Sequence, residues 1–159
     1  MADKKFFVGL LAMALVFEVS VPSVFAESDI QNWISGEISV LGAGVRYERM
    51  LNEQISVGVV AFSTLFASYT AGAQVFGRYY PWASNFHAEV GLGGGTAADG
   101  RLGSGNRVSG LMITPGIGWR IDVGEPGRFF LNPNISLPLI LGNGFAWEFR
   151  PAFGMGYSF

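Results

Sequence analysis

After residue 27 the chain alternates apolar with polar or small residues at a period of two, and no helical stripe at i, i+3, i+4, i+7 persists. That period predicts strands, whose successive side chains point to opposite faces. The C-terminus shows it most clearly. Phe145, Trp147, Phe149, Pro151, Phe153, Met155, Tyr157 and Phe159 take one face, and Ala146, Glu148, Arg150, Ala152, Gly154, Gly156 and Ser158 take the other. Turn chemistry divides the rest into similar pieces: Leu51-Asn52-Glu53, a short break near Ala67-Ser68, residues 81–85, the Gly- and Ser-rich stretch 98–106, residues 122–127, and Gly142-Asn143-Gly144. The pieces run to about 10–15 residues, longer than the usual globular strand and suited to strands that cross a bilayer at a tilt. Trp33 to Met50 is too long for one such strand. Split at Leu41-Gly42-Ala43 it makes two and brings the total to eight; the alternative is seven segments with a frayed edge. An even count returns the last strand to the side where the first began, as closed bacterial barrels require.

Alternation alone fits a soluble calyx with an apolar interior as well as a membrane barrel with an apolar exterior. The charged positions separate them. Glu37, Arg46, Glu48, Arg78, Glu89, Arg120, Glu148 and Arg150 all fall on the face opposite Ile34, Ile38, Val45, Val90, Leu92, Leu111, Ile117, Trp119 and Ile135. Four Glu stand against four Arg, so that face is neutral as a set. Such a set suits a narrow interior, because arginine presents a planar fork of donors to several carboxylates, whereas an unpaired buried charge is costly. Gly91, Gly93, Gly116, Gly118, Gly154 and Gly156 share this face and are expected to make room for the long side chains. Trp33, Tyr47, Tyr79, Tyr80, Trp82, Phe86, Phe129, Phe130, Trp147, Tyr157 and Phe159 lie near strand ends, as interfacial aromatic girdles do.

Composition sharpens the choice. Of the 159 residues 50% are hydrophobic and 14% charged, with a formal net charge of -2. This is too little charge for a disordered tail, a coiled coil or a basic nucleic-acid binder. A soluble calyx would carry abundant lysine on its solvated face, yet Lys4 and Lys5 are the only lysines in the chain. The absence of cysteine removes disulfides, thiolate nucleophiles and Cys-ligated metals. Lys4-Lys5, the apolar run Phe6 to Phe17 and the small-residue ending Val24-Phe25-Ala26 predict a secretory signal peptide at 1–26 and a mature chain of 27–159. Glu18 interrupts the apolar run before it reaches the length of a spanning helix.

Candidate chemistry is sparse. Gly91-Leu92-Gly93-Gly94-Gly95 precedes a polar loop where a phosphate site would need a helix N-terminus. His87 is the single histidine, so a multi-histidine metal site is impossible; it is expected to hydrogen-bond to the carboxylates of the interior face. Ser84 and Ser104 are turn residues, and no serine is placed by spacing beside His87 for nucleophilic catalysis. Glu89 and Glu148 could do acid-base work only in an open wet cleft, and the arginines argue for ion pairs instead. Asn134-Ile135-Ser136 matches a glycosylation sequon but falls within an expected strand. No catalytic residue, metal or cofactor is expected.

The chain resembles the small eight-stranded outer-membrane barrels of the OmpX, OmpW and OmpA-transmembrane type. The resemblance is carried by Gly44-Val45-Arg46-Tyr47-Glu48-Arg49, Gly77-Arg78-Tyr79-Tyr80-Pro81, Glu89-Val90-Gly91-Leu92-Gly93, Pro115-Gly116-Ile117-Gly118-Trp119 and the closing Gly154-Met155-Gly156-Tyr157-Ser158-Phe159. It implies an all-β, transmembrane, antiparallel up-and-down barrel of about eight strands in the cell outer membrane. It also implies that Phe153, Met155, Tyr157 and Phe159 form the signal read by the barrel-assembly machinery. The loops are shorter than is usual in the family. The expected protein is a non-enzymatic, monomeric envelope component in contact with outer-membrane lipid, its lumen plugged by Glu/Arg pairs. The alternatives are a narrow porin-like conduit for ions or small hydrophobic solutes, with selectivity set by arginine, and a lipid-modifying enzyme dependent on His87.

Overall fold

The computed structural model describes residues 32–39, 42–64, 70–81, 85–98, 107–123 and 129–159. The expected leader at 1–26, the break near Ala67-Ser68 and Trp82 lie outside them. The strands are β1 (Asn32–Ser39), β2 (Gly42–Met50), β3 (Ile55–Thr64), β4 (Thr70–Tyr79) and β5 (Phe86–Ala98). β6 runs Arg107–Trp119 and continues past Arg120 as Ile121–Val123. β7 runs Phe129–Ser136 and resumes as Leu139–Gly142, and β8 runs Phe145–Trp147 and resumes as Arg150–Ser158. Trp33 to Met50 thus makes two strands.

Each strand pairs antiparallel with its neighbour in sequence, and β8 returns to pair with β1 from Trp33↔Ser158 to Ser39↔Ala152. The result is a closed up-and-down barrel of eight strands. Closure extends to the last residue: Phe159 N donates to the Asn32 carbonyl at 2.9 Å and Asn32 N to the Phe159 carbonyl at 3.0 Å. Among the described strands no sheet edge is left to template further pairing.

Pro115, Pro133, Pro138 and Pro151 all fall in the β6–β8 panel, and strands β1–β5 contain no proline. Glu148 N donates to the Pro138 carbonyl at 3.1 Å. Proline has no N–H with which to return the bond, so the β7 and β8 ladders break at one level. The inward and outward alternation nevertheless runs through both breaks.

Large apolar side chains cover the outside: Ile38 is 72% exposed, Trp147 64% and Phe159 62%, with Ile34, Val45, Val90, Leu92, Leu111 and Ile117 also exposed. Polar and charged side chains are buried inside. This inverts the distribution of a water-soluble protein. Outward aromatics gather at the end where the chain termini meet, with Phe86–Trp119 and Phe129–Tyr157 each edge-on at 5.2 Å across paired strands. The opposite end carries Phe145 and Trp147 on β8. Trp33, Tyr80 and Phe130, expected in this girdle, point inward and are buried. Their parity explains it, since Trp33 is in phase with Glu37, Tyr80 with Arg78, and Phe130 with Asn132; nearness to a turn did not decide the face.

Candidate functional site: the lumen

The interior is built in three layers. In the middle, six charged side chains form an alternating chain, Arg150–Glu37–Arg46–Glu89–Arg78–Glu48. Arg150 Nη2 donates to Glu37 Oε2 at 3.1 Å, and Arg46 Nε donates to Glu37 Oε1 at 2.7 Å. Arg46 Nη1 and Arg78 Nε both donate to Glu89 Oε2, at 2.6 and 2.7 Å. Arg78 Nη1 donates to Glu48 Oε2 at 2.6 Å. Glu48 Oε1 accepts from Tyr80 Oη at 3.0 Å and from Ser56 Oγ. Asn132, oriented to donate to the Trp119 carbonyl at 3.1 Å, accepts from Arg78 Nη2 at 3.0 Å. These contacts reach every wall of the barrel.

All six charged side chains are almost fully shielded from solvent. In that setting ion pairs persist only when the remaining donors and lone pairs are also met. Two features help to meet them. Each carboxylate of the chain accepts at both oxygens, and the guanidinium faces lie on aromatic rings: Arg46 is 4.2 Å from the Phe76 centroid, Arg78 5.3 Å from the same ring and Arg150 3.9 Å from Phe62.

An apolar layer lies toward the end away from the termini, made of Phe62, Ala97, Met112 and Ile140 with Val108 and Ala146 packed against it. An aromatic layer lies toward the termini end, made of Trp33, Tyr80 and Phe130 with Met50 against it. Arg120 covers this layer, 3.7 Å from the Trp33 centroid and bonded to Asp122 at 3.0 Å. Arg120 therefore shares the inward face but stands apart from the six-residue chain. Glu148 also points inward, yet neither carboxylate oxygen has a hydrogen-bond partner among the described residues. His87, expected to bond to the carboxylates, has neither ring nitrogen so engaged; its ring packs on Tyr80 at 5.3 Å between centroids.

The inward glycines make room for a wider set of neighbours than the charged side chains alone. A Cβ at Gly58 would meet Phe76 Cζ at 2.6 Å, at Gly156 Phe130 Cζ at 2.3 Å, at Gly91 the Gln74 amide at 2.5 Å and at Gly118 His87 Nε2 at 2.8 Å. These four make room for rings and an amide, whereas a Cβ at Gly44 would lie 3.4 Å from Arg150 Nη2 and one at Gly154 3.5 Å from Glu37 Cγ, so that those two border the charged chain. Sequence reasoning passed over Ser56, Phe62, Phe76, Met112, Asn132 and Ile140. Their phase on each strand marks them as inward. Among the described residues no group of His, Asp or Glu is arranged to hold a metal ion.

Phe153, Met155, Tyr157 and Phe159 occupy the outer face of β8 beside the β1 seam. No protein-family model and no curated protein matches the chain. Among solved structures, the N-terminal β-barrel domain of Pseudomonas aeruginosa OprF is similar at a TM-score of 0.61 and 15% identity, over 82% of this chain and 96% of that one. A de novo designed protein, TMB2.3, aligns at a TM-score of 0.39 and 11% identity, over 82% of this chain and 91% of that one. The OprF likeness shows the fold: a closed antiparallel barrel of eight strands.

Proposed function

We propose that the chain is an integral outer-membrane β-barrel whose role is structural, with a lumen closed to solutes and no reaction of its own. The observation that carries this reading is the inverted polarity: apolar side chains cover the exterior while the alternating Arg/Glu chain is sealed inside between two apolar layers. An exterior of that kind is stable against hydrocarbon and unstable against water. The outward aromatics at the termini end suit a headgroup interface. The exported chain would be inserted by the barrel-assembly machinery through Phe153, Met155, Tyr157 and Phe159, and would work as a monomer in contact with lipid.

Fractionation tests the reading. The mature protein should partition into the detergent phase, sediment with outer membranes and migrate differently on gels before and after boiling. Recovery as a soluble monomer would overturn it.

A further inference from the structure

Among the described residues the lumen charges do not cancel. Arg46, Arg78 and Arg150 face Glu37, Glu48, Glu89 and Glu148, three cations against four anions, while Arg120 is matched by Asp122. His87 does not make up the difference, because neither ring nitrogen has an acceptor among the described residues. Glu148 is the surplus carboxylate. It lies within electrostatic range of Arg150, whose Nη2 is bonded to Glu37 and whose Nε donates to nothing described.

Two further oxygens without a partner among the described residues fall near the same level. Thr114 Oγ1 and Gln74 Oε1 have no partner among the described residues, and their residues are only 1% and 6% exposed. Gln74 folds its amide over Gly91, and Gly91 pairs directly with Thr114. From Thr114 the register continues to Pro138, one step past the Ile113↔Leu139 pair, and Pro138 accepts from Glu148 N. Gly91, Thr114, Pro138 and Glu148 therefore follow one register line across β5 to β8, and Gln74, which itself pairs with Gly93 on β5, lays its amide over the Gly91 end of that line. Buried oxygens without donors are rare in folded proteins and mark a bound water or ion.

We propose that this line is an internal cation site, in which the Glu148 carboxylate, Gln74 Oε1 and Thr114 Oγ1 hold a sodium ion. Hard oxygen ligands suit such an ion. A single positive charge cancels the surplus of the lumen, whereas a divalent ion would reverse it. The two flanking layers make entry on folding the natural route, so the ion is taken up as the barrel closes. The site does not depend on which membrane holds the barrel.

The test is refolding of the full mature chain into detergent micelles in sodium chloride, against N-methylglucamine chloride at equal ionic strength, read as the midpoint of heat-induced loss of the folded gel form. Sodium should raise the wild-type midpoint by several degrees. Glu148→Gln should remove the difference, Thr114→Val should reduce it, and Glu53→Gln, on an exposed turn, should keep it. If Glu148→Gln fails to fold, Thr114→Val and Gln74→Leu carry the comparison. Equal wild-type midpoints in the two salts would overturn the proposal. So would a sodium effect that survives the site variants, or a midpoint that follows acidification and ignores sodium, which would assign a proton to Glu148 instead.

Discussion

Arg46 grips Glu89 with two hydrogen bonds, Nη1 to Oε2 at 2.6 Å and Nη2 to Oε1 at 3.3 Å, although β2 and β5 are separated in the barrel wall by β3 and β4. The contact crosses the lumen. Through it, and through the Arg78 bond to the same carboxylate, facing walls are tied by paired charges.

Cutting this tie strands charge. Glu89→Ala leaves two guanidiniums without their shared acceptor in a shielded interior, and loss of one partner from a buried pair costs about 3–5 kcal/mol. Urea unfolding of the barrel in phospholipid vesicles should show that loss. A double-mutant cycle of Glu89→Gln with Arg46→Met should give a coupling of about 1–3 kcal/mol; additive effects would mean that the pair is not coupled.

Gly156 is a packing requirement. A Cβ there would lie 2.3 Å from Phe130 Cζ and 2.6 Å from the Ile34 carbonyl oxygen. Gly156→Ala should destabilise the barrel by about 1–3 kcal/mol in the same unfolding assay. Phe130→Leu in that background should recover part of the loss, and only part, because the carbonyl contact remains.

Much of this was legible in the sequence. A period of two assigns faces without knowledge of the pairing, which is why Glu37, Arg46, Glu48, Arg78, Glu89 and Arg150 can be read as one inward set. Which of them meet depends on the stagger between strands, and stagger is not written in any single strand. Arg120 has the right phase but sits beyond Trp119, level with the aromatic layer. Glu148 has the right phase but sits where Pro138 interrupts the ladder. The apolar end layers were missed for a related reason: Phe62, Met112 and Ile140 share the inward phase with polar residues, so their hydrophobicity alone would assign them outside.

Phe159 has two roles that substitution can separate. Its ring is exposed on the outer face, while its backbone exchanges two hydrogen bonds with Asn32 at the seam. Deletion of Phe159 should impair both membrane insertion and stability of the folded barrel. Phe159→Ala keeps the backbone pairing, so insertion in cells should fall while the urea midpoint of protein refolded in vitro stays within about 0.5 kcal/mol of wild type. Normal insertion of both variants would separate the terminal aromatic from assembly.

The proline-bearing panel should open first. Amide exchange near residues 137–138 and 147–149, where the ladder is broken, should be faster than across the unbroken β3–β4–β5 ladders. Uniform protection around the barrel would contradict this.

Planar-bilayer recording of the purified, refolded protein shows whether the lumen is closed. A filled interior predicts no steady single-channel current in wild-type protein. Steady unitary currents whose size or selectivity changes in Arg78→Ala or Arg150→Ala would contradict it and make the lumen a conduit.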